Sequence, residues 1–85
     1  VEDKDKIVKS FDISIKITRL PLICVYSNLS DYPGKYVARL WDINQPTNMV
    51  AIAESLEKIR EAKPAEMIIM QRQPQDDPVI VETWI

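Results

Sequence analysis

Asp31-Tyr32-Pro33-Gly34-Lys35-Tyr36-Val37-Ala38-Arg39-Leu40-Trp41 holds the chain's only glycine and, directly after it, a two-faced strand pattern. Pro33 presets its own φ and Gly34 accepts the positive φ of a type II turn, so a reversal is expected here. Side chains alternate across a strand. Tyr36, Ala38 and Leu40 therefore share one face, and Lys35, Val37, Arg39 and Trp41 share the other. The first set suits a core, and the second carries a cation and a tryptophan.

Upstream, Ser27 to Gly34 reads as a loop of turn formers, preceded by the apolar run Leu22-Ile23-Cys24-Val25-Tyr26. Such a run suits a central strand covered on both faces. Phe11, Ile13, Ile15 and Ile17 alternate with Asp12, Ser14, Lys16 and Thr18, the period of a half-buried strand. Residues 1–9 are charged and are expected to form a loose N-terminal arm.

Downstream, Asn44 to Asn48 predicts a turn and Met49 to Ala53 a short strand or bridge. Ser55 is a good N-cap, Leu56, Ile59 and Ala62 mark one buried stripe, and Pro64 stops the helix. Glu54 to Lys58 and Glu57 to Arg60 are favourable spacings on its wet face. Glu66 to Gln71 and Val79 to Ile85 read as two further strands around a proline-bounded loop. The expected architecture is one α+β domain: a mainly antiparallel sheet of five or six strands with helix 55–63 on one face.

Size and composition narrow the chemistry. With 85 residues the core is small and benefits from reinforcement by a partner or by self-association. Cys24 is the only cysteine and there is no histidine, so neither an internal disulfide nor a cysteine-histidine zinc site can form. Cys24 reads as a small buried hydrophobe rather than a nucleophile, since no base is placed beside it. Asp76-Asp77 with Glu82 or Asp31 matches no metal-binding spacing of known geometry, and a solvated acidic turn before Pro78 is the favoured reading. No catalytic residue, metal or cofactor is expected, and no small-molecule substrate is evident.

The formal net charge is -2, with +2 on residues 1–40 and -4 on residues 41–85. That balance disfavours nucleic acid as a partner, although Lys16, Arg19, Lys35 and Arg39 leave room for a local basic patch, and a weak nucleic-acid-binding domain stands as an alternative role. No apolar run reaches membrane-spanning length. Val1-Glu2-Asp3-Lys4 lacks a signal-peptide pattern, and the cytoplasm is the expected compartment. The chain opens on valine rather than methionine, so a removed leader stays open.

In the last strand Ile80, Glu82 and Trp84 share a face. If that face coincides with the Arg39 and Trp41 face, then Arg39, Trp41, Glu82 and Trp84, with Tyr32 at the rim, form an exposed partner-binding patch. Tryptophan and arginine dominate interface hot spots. The competing reading has each tryptophan covering the sheet, with Arg39 and Glu82 paired across strands. The expected role is a non-catalytic protein-interaction module.

Two resemblances accompany this reading. Tyr32-Pro33-Gly34-Lys35-Tyr36-Val37-Ala38-Arg39-Leu40-Trp41, Ala53-Glu54-Ser55-Leu56-Glu57-Lys58-Ile59-Arg60 and Asp77-Pro78-Val79-Ile80-Val81-Glu82-Thr83-Trp84-Ile85 resemble small uncharacterised proteins of bacteria and their mobile elements. That likeness covers most of the chain and implies no activity. Strands followed by Ser55-Leu56-Glu57-Lys58-Ile59 and another strand are also similar, at the level of fold, to the N-terminal domain of HicB-type antitoxins. This second likeness implies an alternative role, an inhibitor or antitoxin that occludes an enzyme. The DNA-binding segment such chains usually add is not among these residues.

Overall fold

The computed structural model describes residues 5–12, 14–42, 45–73 and 77–85. Six strands form one open sheet: β1 (Lys6–Ile7), β2 (Pro21–Leu29), β3 (Tyr32–Asp42), β4 (Gln45–Ala53), β5 (Ile69–Gln71) and β6 (Ile80–Trp84). Their order across the sheet is β1-β4-β3-β2-β6-β5, with β1 parallel to β4 and every other pair antiparallel. One short helix, α1 (Leu56–Ile59), runs on into a 3₁₀ turn at Arg60–Ala62 and packs on β3 and β4. The α+β expectation holds at this level. No helix among the described residues is long and apolar enough to cross a membrane.

The helix forms where its signals lie. The Ser55 hydroxyl accepts the Lys58 N–H at 3.2 Å, an N-cap bond, and Ile59 and Ala62 are buried. Lys63 Nζ donates to the Pro64 and Met67 carbonyls, closing the end of the element. The helix charges bond outward, Glu54 to Lys35 and Arg60 to Glu82, while Lys58 and Glu57 act on them through charge at the expected helical spacings.

Pro21 opens β2, a strand position that needs no N–H. β2 lies inside the sheet as its apolar run predicts, but only one of its faces is fully covered. Ile23 and Val25 are buried under the helix layer, whereas Leu22, Cys24 and Tyr26 on the other face are half-buried.

Four expectations are corrected. The described residues from Phe11 do not form a strand, Ile13 lying outside them; Ser14–Ile17 is a 3₁₀ turn, with Ile15 N–H bonded to the Phe11 carbonyl. Phe11 and Ile15 are four apart and so also suit one helical turn, and both enter the core. Phe11 N–H bonds the Ala62 carbonyl, which fixes the segment against the helical turn. The N-terminal arm is not loose from residue 5 onward. Lys6 and Ile7 pair with Met49 and Val50, and Val8 N–H bonds the Val50 carbonyl.

The loop at Ser27 to Gly34 is mostly strand, and residues 45–48 of the expected turn belong to β4, Asn44 lying outside the described residues. Gly34 does adopt positive φ (75°), but inside β3, where its N–H bonds the Asn28 side chain across a register shift. Ser30 and Asp31 alone form the tip. A second register shift between β3 and β4 is closed by Thr47, whose hydroxyl donates to the Leu40 carbonyl and accepts the Met49 N–H. Nothing lies within 4 Å of a Cβ built on Gly34, so Gly34→Ala meets backbone strain alone. That variant should lose about 1 kcal/mol, read as a lower urea midpoint with an unchanged slope.

Candidate functional site on the open face of the sheet

Register decides which side chains meet. Opposite residues in paired strands point the same way, so the pairs Ile23–Leu40, Val25–Ala38 and Ala38–Ala51 define the helix-covered face. Ile23 opposes Trp84 and Val25 opposes Glu82, which puts both β6 residues on that same covered face. Arg39 and Trp41 stand on the opposite one. The expected patch is therefore divided between the two faces of the sheet. Trp84 is 0% exposed and Glu82 1%, and neither is available to a partner. Arg39 does not pair with Glu82 either.

Glu82 is held inside instead. Arg60 Nε and Nη2 donate to its two oxygens at 3.0 and 2.6 Å, and the Trp84 indole N–H donates to Oε2 at 2.8 Å. Burial pushes the Glu82 carboxyl up, but the Arg60 and Trp84 bonds outweigh it and leave its pKa below the usual value. Arg60 was missed as its partner. A carboxylate in a strand that carries a core tryptophan needs a cation from the covering layer, and that requirement is the signal.

On the open face Arg39 is clamped. Its two terminal nitrogens reach the Asp5 carboxylate at 3.1 and 3.2 Å, and Nη1 also donates to the Thr47 carbonyl at 2.8 Å. The Tyr32 hydroxyl donates to the same carboxylate at 2.6 Å. The bond from Arg39, followed by that from Tyr32, holds the Asp5 carboxyl below its usual pKa, while donation to Asp5 raises the Tyr32 hydroxyl. Tyr32 and Arg39 do come together as site neighbours, through a residue that sequence reasoning assigned to a loose arm. A shallow cavity of about 270 Å³ opens beside them, lined by Asp5, Arg39, Pro46, Thr47 and Asn48. An ionised carboxylate saturated by three donors is a fixed countercharge, not a ready proton acceptor. Lys35, a second member of the possible basic patch, is paired with Glu54.

Beyond the clamp the face is apolar. Leu22 opposes Trp41, and Trp41 opposes Pro46. Extending the Ile23–Trp84 register by one residue sets Ile85 beside Leu22, and Ile85 and Ile68 exchange both backbone bonds. Ile68, Ile85, Leu22, Trp41 and Pro46 thus form one row across five strands. The next row carries Met70, Thr83, Cys24, Arg39, Val50 and Ile7. Cys24 is accordingly half-buried on this face rather than in the core. The Trp41 indole N–H is buried without a hydrogen-bond partner, although the Tyr26 hydroxyl lies near enough to feel it.

Among the described residues five large hydrophobics stand exposed: Ile7, Leu20, Ile68, Met70 and Ile85. Four of them project from this face, and Leu20 lies just before β2. The surplus of apolar surface is one-sided.

The acidic turn is only partly visible, because Asp76 lies outside the described residues. Asp77 caps its own turn, its side chain accepting the Val79 N–H at 3.1 Å. No group of three potential metal-ligating side chains occurs among the described residues. The chain matches no protein-family model, no curated protein and no solved structure. The two resemblances rest on the quoted residues alone.

Proposed function

We propose that the chain is a small, non-catalytic protein-interaction module of the cytoplasm, and that its binding surface is the open face of the sheet. The observation that carries this reading is the one-sidedness of the apolar surface: Ile7, Ile68, Met70 and Ile85 stand exposed on the face that no helix covers. Ile68, Met70 and Ile85 are neighbours at the β5–β6 corner and adjoin Leu22 and Trp41 along one row, a contiguous patch of the kind that marks an interaction surface, whereas Ile7 stands singly at the opposite edge. Trp41 supplies a large, rigid anchor within the row. Arg39, oriented by Asp5, presents a guanidinium that need not be ordered on binding. The lone cysteine fits a reducing compartment.

The test uses the immobilised chain and a lysate of its source organism. Wild type should retain a partner that Leu22→Lys releases, because the lysine places a charge in the middle of the row. Leu22 is half-buried and away from the core, so the melting temperature of the variant should stay within a few degrees of wild type. Equal retention by both proteins would exclude this face as the binding surface.

A further inference from the structure

β5 is the last strand of the sheet, and among the described residues no strand pairs with its outer side. Which backbone groups it presents follows from the pairing with β6. Ile68 and Ile85 exchange both backbone bonds, so they form a hydrogen-bonded pair. In an antiparallel ladder such pairs alternate, and Met70–Thr83 is the next one. The N–H and C=O groups of Ile69 and Gln71 therefore point away from β6, toward solvent. On this side, among the described residues, the Gln73 side chain approaches with a long 3.5 Å contact to the Gln71 carbonyl.

Natural edge strands are usually blunted by a lysine, a proline, an inward charge or a covering loop. Ile68-Ile69-Met70-Gln71 has no charge and no proline, and its exposed side chains include Ile68 (59%) and Met70 (41%). Ile85, also exposed, sits beside them. Three of the five exposed large hydrophobics thus gather at one corner of the sheet, next to a row of unused backbone groups.

We propose that this edge seats a second copy of the same chain, with Ile69–Gln71 of the two copies paired antiparallel about a two-fold axis at Met70. This inference rests on the reading of the chain as an interaction module and names its partner. The register follows from the backbone. Setting Met70 opposite Met70 of the second copy puts Ile69 opposite Gln71 and Gln71 opposite Ile69. All four outward residues then exchange bonds, four in all, using only the part of the chain that is already extended.

A register centred on Ile69 would need the Met67 N–H, which is already bonded to the Pro64 carbonyl. The two-fold also matches the side chains. Opposite residues share a face, so the two Met70 side chains meet on the open face, and each Ile68 lies diagonal to Met70 of the other copy. The rows that carry Met70 join into one across the axis, and each Ile68 stands opposite Arg72 of the other copy, whose long aliphatic stem can cover it. No like charges meet, because the strand carries none.

The test is sedimentation velocity over a concentration series on the whole chain, with amide hydrogen exchange. Wild type should pass from monomer to dimer as concentration rises, with the Ile69 and Gln71 amides protected only in the concentrated sample. Met70→Lys sets two ammonium groups face to face, and Gln71→Pro deletes an N–H that the fold itself does not use. Each should raise the dimer dissociation constant about tenfold or more, with the melting curve of the dilute monomer unchanged.

A wild type that stays monomeric at millimolar concentration overturns the inference. So does a dimer that ignores both substitutions, or one that Leu22→Lys alone abolishes, which would seat the second copy on the open face instead. A strictly monomeric chain that still retains a lysate partner through Leu22 overturns the β5 edge dimer and leaves the interaction module standing.

Discussion

Trp84→Ala should destabilise the domain by about 3–5 kcal/mol, a large share of the roughly 5–15 kcal/mol that holds a folded domain together. The ring is fully buried beside Ile23 on β2 and Ile69 on β5, at the point where the sheet meets the helix layer. Truncation opens a cavity there and removes the indole N–H from Glu82. Urea denaturation followed by circular dichroism measures the loss directly. Trp41→Ala is the internal comparison. Trp41 is half-buried on the open face and should cost clearly less, while removing the anchor of the proposed surface. Equal midpoints for Trp84→Ala and wild type would refute the core assignment of Trp84.

The second large effect concerns Glu82 and Arg60. The Glu82 side chain is 2% exposed and that of Arg60 38%. Breaking a fully buried ion pair from one side costs about 3–5 kcal/mol. Arg60→Ala should cost less, about 2 kcal/mol, because the vacated guanidinium position lies near solvent and admits water to the carboxylate.

The pair also sets an acid limb. The pKa of Glu82 is lower in the folded chain than its ordinary 4.5, so its contribution is complete above that value and is lost as pH falls through the lowered folded pKa. Asp5, lowered chiefly by Arg39, acts in the same direction from its ordinary 3.8. Stability should therefore decline with acid below about pH 4.5. Glu82→Gln should start less stable and fall less steeply, the remaining slope coming from Asp5 and Glu54. A wild type and a Glu82→Gln variant with parallel pH profiles would show that the pair does not titrate with folding.

How much of this was legible depended on whether the deciding physics was local. Ser55 capping, the Leu56, Ile59 and Ala62 stripe, and the stop at Pro64 are matters of one or two helical turns, and each is where the sequence put it. The core side of β3 is equally local, since Tyr36, Ala38 and Leu40 can only point together.

Phe11 and Ile15 show the limit of such signals. Their spacing fits a strand period and a helical turn alike, and the bond from Phe11 to Ala62, across the fold, selects the turn. Asp5 shows another limit. Nothing in its neighbours along the chain predicts that a short parallel strand will carry it onto Arg39 and Tyr32.

The face of β6 is the clearest case. Val79, Val81, Thr83 and Ile85 make the less polar set, yet Glu82 and Trp84 enter the core, while a register shift places Ile80 opposite Tyr26 on the open face and lets Val81 pack against the core. A one-residue shift in register moves every side chain of a strand to the other face, so alternation alone leaves the choice open. Arg60 settles it by making the buried carboxylate tolerable, and Trp84 by filling the space beneath the helix.

By itself, then, the sequence determined one small α+β unit, the capped helix, the two-faced strand after Gly34, and a chain without histidine or a second cysteine. The tertiary structure alone decided that Arg39 and Trp41 face away from Glu82 and Trp84, that Asp5 locks Arg39, and that the spare apolar surface collects on one face and at the β5 edge. Those outcomes depend on strand register and on contacts between residues far apart in the chain, which local periodicity does not encode.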